Sequence, residues 1–102
     1  MRGQKRKKAE IKSIILKKTD GVCARCGKVI DIRNVTIEHF VPKYRGGEDD
    51  ERNLFPLCKN CNKQKGSRIV AVEEYYPYLR TEYRGNAIEY KKEWESIMES
   101  HI

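Results

Sequence analysis

Glu38 and His39 stand side by side between two cysteine pairs, with Asn53 and Asn62 downstream. The pairs are Cys23-Ala24-Arg25-Cys26 and Cys58-Lys59-Asn60-Cys61, and they use all four cysteines of the chain. Of the two histidines only His39 falls between them; His101 is the penultimate residue. Cleaving a phosphodiester near neutral pH requires an activated water, a cation to neutralise charge on phosphorus, and help for the departing oxygen. His39 is suited to be the general base. Glu38 offers hard oxygen atoms to Mg²⁺, an ion that takes few protein ligands and keeps several waters, and the Asn62 carboxamide could complete such a site. The set points to metal-assisted phosphodiester hydrolysis.

The cysteines have a separate task. Two C-x-x-C pairs with 31 residues between them suit a tetrahedral zinc ion held by four thiolates. The alternatives are two disulfides or a redox C-x-x-C. A redox motif needs one pair near a βαβ pattern rather than two symmetric ones. Disulfides call for a secretory route, whereas the chain opens Met-Arg-Gly-Gln-Lys-Arg-Lys-Lys and its first apolar run is only Ile14-Ile15-Leu16. A soluble, cytoplasmic protein of a bacterial or phage-infected cell is expected, with no membrane partner. A structural metal also answers a shortage of core: the chain has 102 residues, 38% hydrophobic and 36% charged.

Net charge is +7, and its placement is uneven. Residues 1–18 hold eight Lys or Arg against one acid, residues 19–72 ten against seven, and residues 73–102 four against seven. A basic N-terminal arm of this kind attracts phosphates without reading sequence. A solubilising tail or an import-like patch is the plainer alternative. Next to a phosphodiester-cleaving set, nucleic acid is the favoured partner.

The elements that must position these groups follow from patterning. Residues 6–18 predict a helix with Ile11, Ile14 and Ile15 on one face, ended by Gly21. A short strand is expected at Val29-Ile30 and Ile32, with a turn at Arg33-Asn34. Val35 through Phe40 is the clearest strand, rich in β-branched residues and closed by Pro42. Neighbours on a strand point to opposite faces, so Glu38 and His39 can share a site only if the strand ends or bends at His39. Arg45-Gly46-Gly47 and the acidic run Glu48-Asp49-Asp50-Glu51 predict an exposed loop. Asn53 to Leu57 reads as a second strand and residues 58–66 as a short helix stopped by Gly66. An irregular stretch precedes a last helix over 86–100, capped by Asn86 and Glu89, with Ala87, Tyr90, Trp94 and Ile97 on its core face.

The run Glu38-His39-Phe40-Val41-Pro42-Lys43, then Arg45-Gly46-Gly47, Asn53-Leu54, Leu57-Cys58, Cys61-Asn62 and Lys65-Gly66, resembles the HNH endonucleases of the zinc-stapled ββα-metal type. The resemblance covers about residues 20–67. It implies His39 as general base, Glu38 as the acidic metal ligand, and Asn53 as the residue that holds the loop and orients the base. Asn62 matches the last signature position, taken by His or Asn, and would ligate the divalent ion, which makes this an H-N-N variant. Cys23, Cys26, Cys58 and Cys61 match the structural zinc staple. Lys43, Arg45, Lys59, Lys63, Lys65 and Arg68 surround the motif as candidate phosphate contacts, which position DNA without reading it.

The expected fold is therefore α+β: a ββα-metal (His-Me finger) core with a four-cysteine zinc staple, flanked by N- and C-terminal helices. Within one domain, residues 1–18 form a basic arm, 19–68 the nuclease core and 69–102 an extension with an amphipathic helix. The expected activity is a DNA endonuclease or nickase using Mg²⁺ or Mn²⁺ and leaving 5′-phosphate and 3′-hydroxyl ends. A zinc-stapled nucleic-acid-binding module that never cuts is the rival from another class. A zinc scaffold that binds protein partners through its tyrosine-rich tail is the second; for the nuclease itself, a packaging or restriction complex is the setting in which a protein partner is expected.

Overall fold

The computed structural model describes residues 7–100, so residues 1–6 of the expected arm and His101-Ile102 lie outside the described residues. Helix α1 (Lys8–Leu16) leads to strand β1 (Thr36–His39), strand β2 (Leu54–Leu57) and helix α2 (Lys59–Lys65). Short helix α3 (Val72–Tyr75) and long helix α4 (Thr81–Glu99) follow. The fold is α+β, with a two-stranded antiparallel sheet in the register Thr36 with Leu57, Glu38 with Phe55 and His39 with Leu54.

Helix α1 is shorter than residues 6–18. It buries Ile15 fully and Ile11, Ile14 and Leu16 in part, and the chain then turns through Asp20 and Gly21, both with positive φ. Lys18 folds back into the core, donating to the carbonyl of Leu54 at 2.8 Å and to that of Glu51.

No strand forms over Val29-Ile30 and Ile32. Val22 bridges to Val29, and residues 32–34 are a turn in which Asp31 and Asn34 bond each other's backbone. The reason is local. The first cysteine pair closes so tightly, with Gly27 at φ +78° under the Tyr78 ring, that Cys23 N–H already bonds Lys28 O. Val29 is left 79% exposed with no sheet to cover it.

The core gathers where β1 and β2 meet the helices. Phe40 packs edge-on against Phe55 and Tyr76 at 6.1 Å between ring centroids, and Phe55 and Tyr76 tilt against each other at 5.0 Å, in a core shared with Leu54, Leu57, Val41 and Leu79. Such aromatic packing adds to simple area burial.

The stretch expected to be irregular contains α3, which carries Val72 and Tyr75 inward. Helix α4 begins at Thr81 rather than at residue 86. Leu79 is buried just before it and Arg80 N–H bonds Lys18 O, so docking of the entry segment sets the start and Asn86 falls inside the helix. Ala87 and Tyr90 are buried and Trp94 is packed in part, but Ile97 is 53% exposed, so the core stripe ends one turn early.

Candidate active site

Strand β1 ends at His39, and Phe40 N–H bonds Asn53 O at 2.8 Å as the chain leaves the sheet. Pro42 then introduces a 3-10 turn over Lys43–Arg45. Asn53, fully buried, holds the loop closed. Its Oδ1 accepts from Val41 N–H at 2.7 Å, and its Nδ2 donates to Val41 O and Glu48 O at 3.1 and 3.0 Å. Both amide protons are used, which a buried carboxamide requires. Gly47 must be glycine: a Cβ there would lie 1.8 Å from Val41 O. Helix α4 braces the same loop, with Trp94 Nε1 donating to Arg45 O, Tyr90 Oη accepting from Glu48 N–H, and Glu93 pairing with Arg52.

Helix α2 lies on β1 through two polar contacts. Thr36 and Glu38 share one face of the strand, and Asn62 and Lys65, three apart, share one face of the helix. Asn62 Nδ2 donates to Thr36 Oγ1 at 2.8 Å, while Thr36 Oγ1 donates to Leu57 O at 2.7 Å. The hydroxyl has one proton, spent on Leu57, so it must accept from Asn62. That fixes the amide orientation and leaves Asn62 Oδ1 as an acceptor for another group.

Glu38 is 3% exposed. Its Oε2 takes Lys65 Nζ at 2.6 Å and the Tyr76 hydroxyl at 3.1 Å. Burial pushes the Glu38 carboxyl above its ordinary range, against the pull of Lys65 and the Tyr76 hydroxyl; burial, then Glu38 itself, pushes the Tyr76 phenol up. Lys65 also donates to His39 O and Phe40 O at 3.2 and 3.3 Å. Expected among the phosphate contacts, Lys65 is instead fully buried, because its ammonium ties the end of β1 to the Glu38 carboxylate.

His39, at the end of the strand, is partly exposed. Its Nε2 lies 2.7 Å from Asp49 Oδ1. An ionised carboxylate only accepts, so Nε2 carries the proton and Nδ1 is the ring's basic atom. The His39 contact, with Lys43 beside it, holds the Asp49 carboxyl below the usual carboxylate range. Neither Asp49 nor Tyr76 was singled out from the sequence. Asp49 is one of several loop acids, and Tyr76 lies outside the motif.

A surface pocket of about 320 Å³ brings Glu38, His39, Asn62, Pro42, Lys43, Tyr44 and Ser67 together. Lys43, Arg45, Lys59, Lys63 and Arg68 are exposed. Arg45 is turned to Ser67 O and Arg68 to Gln64 O and Lys65 O, so these two also tie the loop and the end of α2.

At the start of α2 the sulfurs of Cys23, Cys26, Cys58 and Cys61 lie within 4.8 Å of one another, and all four thiols are free. Four soft donors at that separation fit a tetrahedral zinc ion.

Residues 23–68 match the HNH endonuclease family. That stretch is similar to an HNH domain. The CRISPR-associated endonuclease Cas9 of Corynebacterium diphtheriae is 37% identical over 51 residues, 49% of this chain and 5% of that protein. The type IV methyl-directed restriction enzyme EcoKMcrA of Escherichia coli is 33% identical over 60 residues, 53% of this chain and 22% of that protein. The crystal structure of the type II-C Cas9 enzyme from Actinomyces naeslundii superposes with a TM-score of 0.58 at 25% identity, covering 71% of this chain and 8% of that one. The chain thus spans a small part of each relative. Among the described residues no helix is long and apolar enough to cross a membrane.

Proposed function

We propose that the protein is a metal-dependent DNA endonuclease or nickase whose HNH domain hydrolyses a phosphodiester to 5′-phosphate and 3′-hydroxyl ends. The observation that carries this is the single pocket shared by His39, Glu38 and Asn62. His39 Nδ1 takes the proton of the attacking water, while Asp49 holds the ring by its other nitrogen. Glu38, engaged through Oε2, and Asn62 Oδ1 would hold one Mg²⁺ or Mn²⁺. This sparse set of hard donors fits an ion that keeps most of its waters. When bound, that ion supplies Lewis-acid stabilisation of charge on phosphorus and on the departing 3′ oxygen.

Asn53 keeps the loop around His39 closed and so positions the base. Lys43, Arg45, Lys59, Lys63 and Arg68 are the phosphate contacts, and the four cysteines would hold a zinc ion that ties the start of α2 to the first cysteine pair. The basic residues among 1–17 add sequence-independent affinity, Lys18 being spent in the core.

Incubation with supercoiled plasmid and Mg²⁺ or Mn²⁺ tests the reading. Relaxed or linear product whose new ends accept ligation is expected. Tight binding without cutting under either ion would favour the non-catalytic zinc-stapled module.

A further inference from the structure

Tyr44 is 83% exposed, the most exposed large hydrophobic side chain among the described residues, and it stands on the rim of the His39 pocket. A lone exposed aromatic needs no explanation by itself. What sets Tyr44 apart is how firmly its backbone is held while its ring is left in solvent.

The 3-10 turn Lys43–Arg45 is closed by Arg45 N–H and Gly47 N–H on Pro42 O and by Gly46 N–H on Lys43 O, each at 2.9 Å. From outside, Trp94 Nε1 grips Arg45 O at 2.9 Å, and Arg45 Nε reaches Ser67 O at 3.1 Å. Gly47 presses so closely on Val41 that the turn cannot slide. A tyrosine displayed this way offers a large face with little side-chain freedom to lose on contact. Its neighbour Lys43 lines the pocket and Arg45 is exposed on its other side in sequence, so a strand whose phosphate they hold brings a nucleobase within the ring's reach.

We infer, building on the proposed DNA-cutting reading, that Tyr44 is a nucleobase contact. Its ring stacks on a base loosened beside the phosphate to be cut. Every base has a π-face, so this contact tolerates any sequence. In an intact duplex those faces are covered by their neighbours, so the site favours DNA with an unpaired or loosened base next to the cut.

The test compares the zinc-loaded full chain with Tyr44→Ala and Tyr44→Trp. Binding is measured without catalytic ion on a paired duplex and on the same duplex carrying one unpaired 2-aminopurine. Wild type should bind the unpaired-base duplex more tightly and change its 2-aminopurine emission. Tyr44→Ala should lose on the order of tenfold on that duplex and little on the paired one, while Tyr44→Trp keeps the preference. In cutting assays the Ala variant should raise KM and leave kcat close to wild type. Equal binding of both duplexes by wild type, or Tyr44→Ala binding both as wild type does, overturns the assignment. Because binding is read apart from cutting, wild-type protein that fails to cut would refute the nuclease reading and leave the Tyr44 comparison standing.

Discussion

Lys65 Nζ lies 2.6 Å from Glu38 Oε2, and both side chains are buried, at 0% and 3% exposure. Burying two charges is expensive unless good geometry and further hydrogen bonds repay it. Here the Tyr76 hydroxyl serves the carboxylate, and the carbonyls of His39 and Phe40 serve the ammonium. The pair therefore fixes the end of β1, the point from which His39 projects.

Lys65→Met should destabilise the zinc-loaded protein by about 3–5 kcal/mol, since it leaves Glu38 buried without its cation. Urea unfolding measures this, and Lys65→Met with Glu38→Gln should recover part of the loss. Lys63→Ala should instead leave stability within about 0.5 kcal/mol and lower the salt slope of DNA binding by about 1. A wild-type midpoint for Lys65→Met would contradict the buried pair.

The zinc staple makes a second expectation. Metal analysis should find one zinc per chain, bound by the thiolates of Cys23, Cys26, Cys58 and Cys61. Cys58→Ser should lose the metal and the cooperative unfolding transition, as metal binding and folding are one equilibrium in such small domains. Well-folded, zinc-free protein under reducing conditions would contradict it.

Much of this core could be read from the chain because its signals are local. The β-branched run before His39, the cysteine spacing and Gly66 after Lys65 each mark an element without reference to distant residues. What escaped depends on distance. Lys65 on a short basic helix has the pattern of a solvated lysine until Glu38 and Tyr76 are brought to it. The Asn86-Glu89 capping pattern is sound locally, but docking of Leu79 and Arg80 starts α4 earlier. Asp49 has no feature that separates it from the other loop acids until the loop folds over His39.

Lys18 should give the stability a pH dependence on the alkaline side. Burial lowers its amine from 10.5 to about 8, despite the attraction of Glu51 and Asp50. Between those values the unfolded chain binds the proton that the folded protein has released, so stability rises with pH across that window. The gap amounts to roughly 3 kcal/mol at most. Urea midpoints from pH 7.5 to 10.5 should climb for wild type relative to Lys18→Met. Parallel curves would refute this.

Deleting residues 1–8 removes Arg2, Lys5, Arg6, Lys7 and Lys8. Affinity for all DNA sequences should fall alike, and its dependence on salt should flatten. An unchanged slope, measured by titration at several salt concentrations, would mean the arm does not touch phosphate.

The central claim is that His39, with Nε2 held by Asp49, activates the attacking water. The most direct measurement is single-turnover cleavage of supercoiled plasmid in Mg²⁺ or Mn²⁺ by wild type and His39→Ala, each freed of contaminating nuclease. The variant should cut on the order of 10²-fold more slowly or worse, with zinc content and DNA affinity close to wild type. His39→Ala protein cutting as fast as wild type would contradict the account.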